Sequence, residues 1–503
     1  MGSLWTEKKT HYKFSSCSSL AMKERLLCLS IATRNTSKKV EGRTEQNCFE
    51  RNFPSSVNER WPKLAPGTIY NTVEDYCRQI TRTYDEYKVY ACPFPKSGNY
   101  YQMYFDECAI RCCVYWGPFY WWFESGPYKH PAPDGMTCAY LKAQLIRSKG
   151  YPAQEFRVTT ADGYVLSLQR IPRDGSTPVL LVHGLFSSAV EWVINFPNQS
   201  LGFVLADGGY DVWLGNFRGT PFARSHIRYN DEDSEYWRFS LDEVALYDIP
   251  ALIDFVLAVT GYEQLLYAGF SQGNTALWAT LADLPQYNDK IRLAVALAPV
   301  ATMSYIKSPA RFLVPFSPLL TGASVLLNRG RFLVGSQWRK EATYFICESP
   351  IRYLCALPTY FLFGVNLPQV NITRLPVYVS HIPSGAAKHN VQQYAQIIRA
   401  RDFTKYDYGT KGNLQRYGQA KSPAYDLSKV SAPVALFYSQ GDFFANPEDV
   451  AYLRRRLPNV VYEYVVPDPS FAHLDFVLGI NAVQILYKPI IRLLDAVSSQ
   501  GTA

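Results

Sequence analysis

Several things are scarce or missing in this chain, and each absence narrows what it can do. Only 7 of its 503 residues are histidine, so any chemistry that needs an imidazole has few candidates. No CxxC pair is joined by a second CxxC or by an HxxxH, which argues against the usual zinc frameworks. No uninterrupted apolar run reaches the roughly 18–20 residues that cross a bilayer. The longest uncharged stretch, Tyr353–Thr373, is broken by Pro358 and Pro368 and carries Asn366, Gln369 and Asn371. Gln264–Ala282 is interrupted by Ser271, Gln272, Gly273 and Asn274. A broad one-signed surface is missing too. The net charge of +8 comes from 51 basic and 43 acidic residues. Residues 1–60 hold eleven Lys or Arg against six Glu, so much of the excess is local. The near balance elsewhere speaks against a nucleic-acid partner. No internal repeat or low-complexity tract is evident.

What is present points to a folded, compartment-bound protein. Hydrophobic residues make up 48% and charged residues 19%, which permits a sizeable core. The length favours more than one domain, or one domain with insertions. Aromatics reach 15%, a weak pointer to apolar or extended ligands. Nine of the 11 cysteines fall before residue 139 and the other two are Cys347 and Cys355. That clustering reads as a disulfide-bearing region from an oxidising compartment. Met1–Thr6 fits the loose myristoylation pattern, but that route is cytosolic and conflicts with the cysteines. Leu26–Ala32, after Lys23 and Arg25, could be the core of a poorly defined signal peptide. Sequons stand at Asn35, Asn198 and Asn371 and add little.

The chain divides near the Pro-rich stretch His130–Gly135. Residues 1–135 are basic, then Cys- and Tyr-rich, with no sustained helical or strand period. Beyond them strand and helix alternate. Glu155–Ala161 and Tyr164–Ile171 flank Asp162-Gly163, a hairpin signal. Pro178–Val182, Tyr210–Leu214, Gln264–Ala268, Leu293–Leu297, Val434–Tyr438 and Val460–Val465 read as strands. Ser240-Leu241-Asp242-Glu243 is a capping box opening a helix that Pro250 should kink. A helix over Asn274–Leu284 and a closing helix over Ile480–Asp495 are also expected. This alternation implies an α/β fold with a mostly parallel sheet covered on both faces. It lapses between 297 and 434, where an inserted cap is expected. The layout is then an N-terminal region 1–135, a core in two parts, 136–300 and 431–503, and a cap or lid over 301–430. Phe312–Leu327 is uncharged and rich in Phe and Leu. It is either buried in the cap core or a lid that shows an apolar face to lipid.

Chemistry concentrates at Gly269-Phe270-Ser271-Gln272-Gly273. A G-x-S-x-G between strand and helix is the setting of a nucleophile elbow, which would hold Ser271 at the positive end of a helix. A serine nucleophile needs a base and an orienting acid, in the order Ser, Asp/Glu, His for such a fold. Beyond Ser271 stand His381, His389 and His473. His473 follows the last strand, whereas the other two fall in the expected cap. Asp442 follows the preceding strand; Asp475 is also available but lies only two residues beyond His473. Ser271, Asp442 and His473 are therefore the expected catalytic residues. The expected oxyanion donors are the backbone N–H groups of Gln272 and Leu185, the latter in the loop after Pro178–Val182. His183 reads as structural. Neither cofactor nor metal is required.

Longer motifs carry a resemblance. His183-Gly184-Leu185, Asn195–Leu201, Leu205–Asn216, Arg218-Gly219, Gly269–Gly273, Tyr406–Gly409, Asn446–Val450 and His473–Phe476 resemble the acid lipase family, which includes gastric and lysosomal acid lipases. The match runs from about 138 to 495. It implies an α/β-hydrolase fold with a lid-bearing cap and hydrolysis of triacylglycerols or steryl esters. It also implies a triad of Ser271, Asp442 and His473, and a secreted or lysosomal setting. The partners would be a lipid ester and a lipid–water interface or membrane surface. Two departures stand out. The family usually has His before the nucleophile, where this chain has Phe270. The cap cysteines sit one residue closer than the family's usual pair, so a Cys347–Cys355 disulfide is plausible without being assured. Residues 1–135 match nothing in that family and are weakly similar to short cysteine-rich ectodomains. Two other readings compete: a non-catalytic lipid carrier on the same scaffold, or an N-terminal adhesion or anchoring module to which a hydrolase is attached.

Overall fold

The computed structural model describes residues 89–93, 100–105, 112–116, 119–122 and 145–499, apart from 318, 320–321, 323–328, 333–356, 358–360 and 365. The chain forms two compact units, Met1–Gly150 and Tyr151–Ala503. In the first, strands β1 (Val89–Pro93), β2 (Tyr100–Phe105), β3 (Cys112–Trp116) and β4 (Phe119–Trp122) make an antiparallel sheet in sequence order. No strand period was expected there. The runs are only four to six residues long and almost uniformly Tyr, Trp, Phe and Cys, so no polar–apolar alternation marks them.

The second unit is built on a nine-stranded sheet in the order β15-β14-β11-β10-β7-β8-β6-β5, with β9 pairing β6. Its strands are β5 (Gln154–Thr159), β6 (Tyr164–Ile171), β7 (Pro178–Val182), β8 (Asp211–Gly215), β9 (Ser225–His226), β10 (Leu265–Phe270), β11 (Ile291–Leu297), β14 (Val434–Tyr438) and β15 (Val460–Val465). From β15 to β8 every pairing is parallel. The hairpin β5–β6 adds an antiparallel edge. Strands β7, β8 and β10 are buried at every position. Apart from Asp211 at the start of β8 they read as unbroken apolar runs, because helices cover both faces of a parallel sheet and no side chain turns to water. The outermost strand, β15, instead alternates between half-buried and exposed residues.

Ser240 opens its helix as a full capping box, its hydroxyl accepting from the Asp242 N–H while Glu243 accepts from the Ser240 N–H. The expected effect of Pro250 takes a specific form. The backbone widens to a π turn over Val244–Asp248, with the Ile249 N–H bonded to the Val244 carbonyl, and returns to α geometry in α1 (Ile249–Thr260). A proline lacks the N–H for an i→i−4 bond, and the extra residue lets the ladder skip it.

Arg218, fully buried, ties the hairpin turn to this helix. Its guanidinium meets Asp248 at 2.6 Å and Asp162 at 2.5 Å, and lies over the Tyr164 ring at 3.9 Å. Between β11 and β14 the chain leaves the main sheet. It makes short helical turns and a two-stranded ribbon of β12 (Arg331–Phe332) with β13 (Ala386–Ala387). Asp242 anchors this segment. Its buried carboxylate accepts from the Tyr425 hydroxyl (2.6 Å), the Gln393 amide (2.6 Å) and the Tyr406 N–H (3.0 Å). Among the described residues no helix is long and apolar enough to cross a membrane. Cys347 and Cys355 lie outside the described residues, as does the boundary expected at 135/136.

Asp248→Ala should strip the buried Arg218 of its most enclosed partner. We expect a loss of about 3–5 kcal/mol, read as a lowered denaturant midpoint of the second unit.

Candidate functional site

The site forms where the carboxyl ends of the central parallel strands meet. β10 ends at Phe270, and Ser271 turns directly into helix α2 (Gln272–Asp283). Ser271 has φ +50° and ψ −111°, far from the usual regions for an L-residue. A strained residue of this kind costs on the order of 1–3 kcal/mol and persists only where its surroundings enforce it. Here the Ser271 N–H bonds the Leu297 carbonyl at 3.1 Å, and the Asn274 amide reaches the same carbonyl at 2.8 Å. The flanking glycines are steric necessities. A Cβ on Gly273 would stand 2.3 Å from the Val182 carbonyl oxygen of β7, and one on Gly269 would stand 2.4 Å from Asn274 Oδ1.

Two of the expected partners close on this serine. Ser271 Oγ lies 2.9 Å from His473 Nε2. His473 Nδ1 faces both oxygens of Asp442, at 2.9 and 2.8 Å. Asp442 is fully buried, and its Oδ1 also accepts the N–H groups of Phe444 (2.7 Å) and Ala445 (2.9 Å). These bonds fix the carboxylate, and the carboxylate fixes the ring, so Nδ1 is the protonated nitrogen and Nε2 is free to accept. The loop carrying the imidazole is held by the segment between β11 and β14, because the His473 N–H bonds the Phe363 carbonyl at 3.3 Å. Three phenylalanines surround the ring: Phe270 at 4.9 Å, Phe444 at 5.2 Å and Phe363 at 6.0 Å between centroids. Phe270, the departure from the family pattern, thus presents an apolar face to the imidazole.

Asp475 does not join this chain. Its carboxylate turns back to accept the Ala472 N–H at 2.7 Å. Burial pushes its pKa up to about 7, with the bonds from Ala472 and Asn366 working against that shift. His183 is also placed apart: Nδ1 faces the Gly184 carbonyl at 2.8 Å and Nε2 accepts the Phe217 N–H at 3.2 Å. Both nitrogens serve the loop, as its structural reading expected. His381 and His389 lie on helices between β11 and β14, Leu375–His381 and α3 (Lys388–Ala400). Neither is brought to Ser271. Gln272 occupies the first position of α2, and Leu185 lies in the loop that follows β7.

Sequence reasoning missed how the segment between β11 and β14 grips the residues around Ser271. The Ser384 N–H bonds the Phe186 carbonyl at 2.6 Å, and Asn390 on α3 donates to the Gln272 side chain at 3.1 Å. No local pattern could reveal pairs more than 100 residues apart. The motif Asn446–Val450 gains a reason as well. Asn446 caps α4 (Pro447–Arg456), while Asp449 accepts from Thr302, Ser304 and Tyr305 just beyond β11.

Gly273→Ala should leave no soluble, active enzyme, because backbone on a neighbouring strand cannot retreat from the new methyl group. Soluble expression and circular dichroism would read the loss.

Residues 177–479 match the family model described as the alpha/beta hydrolase fold. Residues 142–196 match the partial alpha/beta-hydrolase lipase region. Gastric triacylglycerol lipase of Homo sapiens is 37% identical over 382 residues, which span 73% of this chain and 93% of that protein. Lipase member K of Homo sapiens is 36% identical over 363 residues, 70% of this chain and 90% of that one. Lipase member M of Mus musculus is 35% identical over 362 residues, 70% of this chain and 85% of its own. With one model covering more than half its length, and these relatives aligned over most of theirs, the chain belongs to the α/β-hydrolase lipase family.

Proposed function

We propose that this chain hydrolyses carboxylic esters of lipids, triacylglycerols or steryl esters, through an acyl-enzyme on Ser271. The observation that carries the reading is the unbroken run of short hydrogen bonds from buried Asp442 through His473 to Ser271 Oγ. In the first step His473 Nε2 takes the hydroxyl proton as Oγ attacks the ester carbonyl carbon. Asp442 does not change its protonation. It keeps the ring in its tautomer and stabilises the imidazolium that forms. The tetrahedral oxygen, now negative, is received by the backbone N–H groups of Gln272 and Leu185. The positive end of α2 adds to that field. His473 then protonates the departing alcohol, and a water activated by the same nitrogen releases the fatty acid. A carrier on this scaffold would have no use for a strained serine paired to a base, so the geometry favours the enzyme.

The cap, which we assign to 301–430, supports contact with a lipid surface. On or just after the short helix Pro309–Phe316, Phe312 is 64% exposed and Leu319 72%, with Leu313 and Phe316 also open. Of the two readings of Phe312–Leu327, the exposed one fits these residues; Leu320 and Val325–Leu327 lie outside the described residues. Water penalises such a patch, and a lipid–water interface relieves the penalty. Secretion or delivery to lysosomes is the matching setting.

Ser271→Ala should lower turnover by about 10³-fold or more, and near-normal turnover in the folded variant would refute the assignment. Asp442→Asn should lower kcat by about 10³–10⁴-fold, and Asp475→Asn far less. A larger loss in the Asp475 variant would show the orienting acid to be wrong. Replacing Phe312, Leu313 and Phe316 by Ser should reduce hydrolysis of emulsified triacylglycerol while sparing a soluble short-chain ester. Parallel losses on both substrates would argue against an interfacial role.

A further inference from the structure

Glu191 is a buried acid that the proposed chemistry leaves unused. It lies in the short helix Ala189–Trp192, every residue of which is buried. Among the described residues no ion pair offsets it, and burial pushes its pKa up to about 8. A carboxyl group in such a place is costly unless it is hydrogen-bonded. Its Oε1 accepts the Gly184 N–H at 3.1 Å.

That bond acts on one particular hinge. Gly184 opens the loop whose next residue, Leu185, is assigned as an oxyanion donor. It must be glycine, since a Cβ would come within 2.9 Å of the Phe270 ring and 3.4 Å of Ser271 Cβ. Lacking a Cβ, it has the widest backbone freedom of any residue, and that freedom would blur the aim of whatever follows. Two sets of bonds remove it. The carbonyl of Gly184 faces His183 Nδ1 at 2.8 Å and accepts the Ser187 N–H at 3.3 Å. In a planar trans peptide the next N–H points opposite to the carbonyl. Holding the Gly184 carbonyl therefore aims the Leu185 N–H the other way. The peptide on the other side of the glycine Cα is held through its N–H, which Glu191 receives. With both peptide planes fixed, φ and ψ of Gly184 are fixed.

We propose that Glu191 is a positioning residue, which helps to set the direction of the Leu185 N–H by holding the peptide that precedes Gly184 and so restricting the glycine hinge. The inference rests on the proposed role of Leu185. A carbonyl-type oxygen at this reach is what the task requires. A charge is not, and the buried setting favours the protonated acid. Tyr487 is the titratable side chain that faces it, and burial keeps that phenol neutral as well.

The test compares Glu191→Gln, Glu191→Asp and Glu191→Leu in the full chain on a soluble ester. Gln keeps an oxygen acceptor at the same reach and should retain kcat within a few-fold. Leu removes the acceptor and Asp shortens the reach. Both should lower kcat by about 10²-fold, the scale of a lost or misaimed oxyanion donor, with little change in KM. The stability profile gives a second reading that needs no catalysis. Glu191 is protonated when folded up to about pH 8 but ionised when unfolded above about pH 4.5, so the native state binds the extra proton. Its contribution to stability therefore falls as pH rises through that window. Glu191→Gln should flatten the fall and melt higher than the unmodified chain at pH 8. Should Glu191→Leu not fold, the Asp and Gln variants still decide. Normal kcat in the Asp variant, or a Gln variant as slow as Leu or Asp, would overturn the proposal. Failure of the parent reading looks different: Ser271→Ala would then retain activity whatever residue 191 is.

Discussion

The backbone at Ser271 is the constraint to which the surrounding structure answers. The sharp turn from β10 straight into α2 takes Ser271 into an unfavourable region, with φ of +50°. Everything close to that turn must make room or hold on. Gly273 admits the carbonyl of Val182, Gly269 admits Asn274, and Gly184 admits the Phe270 ring. Leu297 offers its carbonyl to two donors at once. Strand β10 sits near the middle of the sheet, between β7 and β11, so its neighbours are rigid and the strain is not relaxed. The same turn places the hydroxyl at the start of a 12-residue helix, where developing negative charge is favoured.

Around this turn the protein uses buried carboxyl groups in three different ways, and environment alone separates them. Asp442 receives two backbone N–H groups and an imidazole, which suits a carboxylate. Asp475 receives one N–H from its own loop, and burial raises its pKa to about 7. Glu191 sits deeper still and its pKa rises to about 8. The first is suited to stabilising a positive ring in a transition state. The other two are suited to holding backbone, a task a neutral acid performs as well.

The cap is more than a cover, because each functional loop has a bond to it. Phe363 holds the backbone of His473, Ser384 holds Phe186, and Asn390 holds the side chain of Gln272. At its base the cap rests on Asp242, whose carboxylate gathers Tyr425, Gln393 and Tyr406. A rearrangement of the cap would therefore be felt at the imidazole and at both proposed oxyanion donors. The exposed phenylalanines and leucines of Pro309–Leu319 lie on this same element.

Much of this was legible in the sequence because it is written locally. Fully apolar runs such as Pro178–Val182 declare buried parallel strands, and G-x-S-x-G declares a turn that only glycines allow. The order Ser271, Asp442, His473 follows from the strands that carry them. The capping box at Ser240 and the hairpin at Asp162-Gly163 are of the same kind. Other features had no local signature. The aromatic strands of the first unit lack alternation, and the answer to Pro250 could have been a kink or, as found, a π turn. Asp442 was preferred to Asp475 on spacing along the chain, but what Asp475 does instead, accepting the Ala472 N–H, had no such signature. Glu191 reads as an ordinary polar residue in a loop until the fold buries it beneath Gly184. Sequence determined which residues could turn, cap and pair with their near neighbours, since those depend on steric freedom and spacing along the chain. Tertiary structure alone decided which buried acid meets a ring and which meets a backbone N–H, because burial and partner are set by segments far apart in sequence.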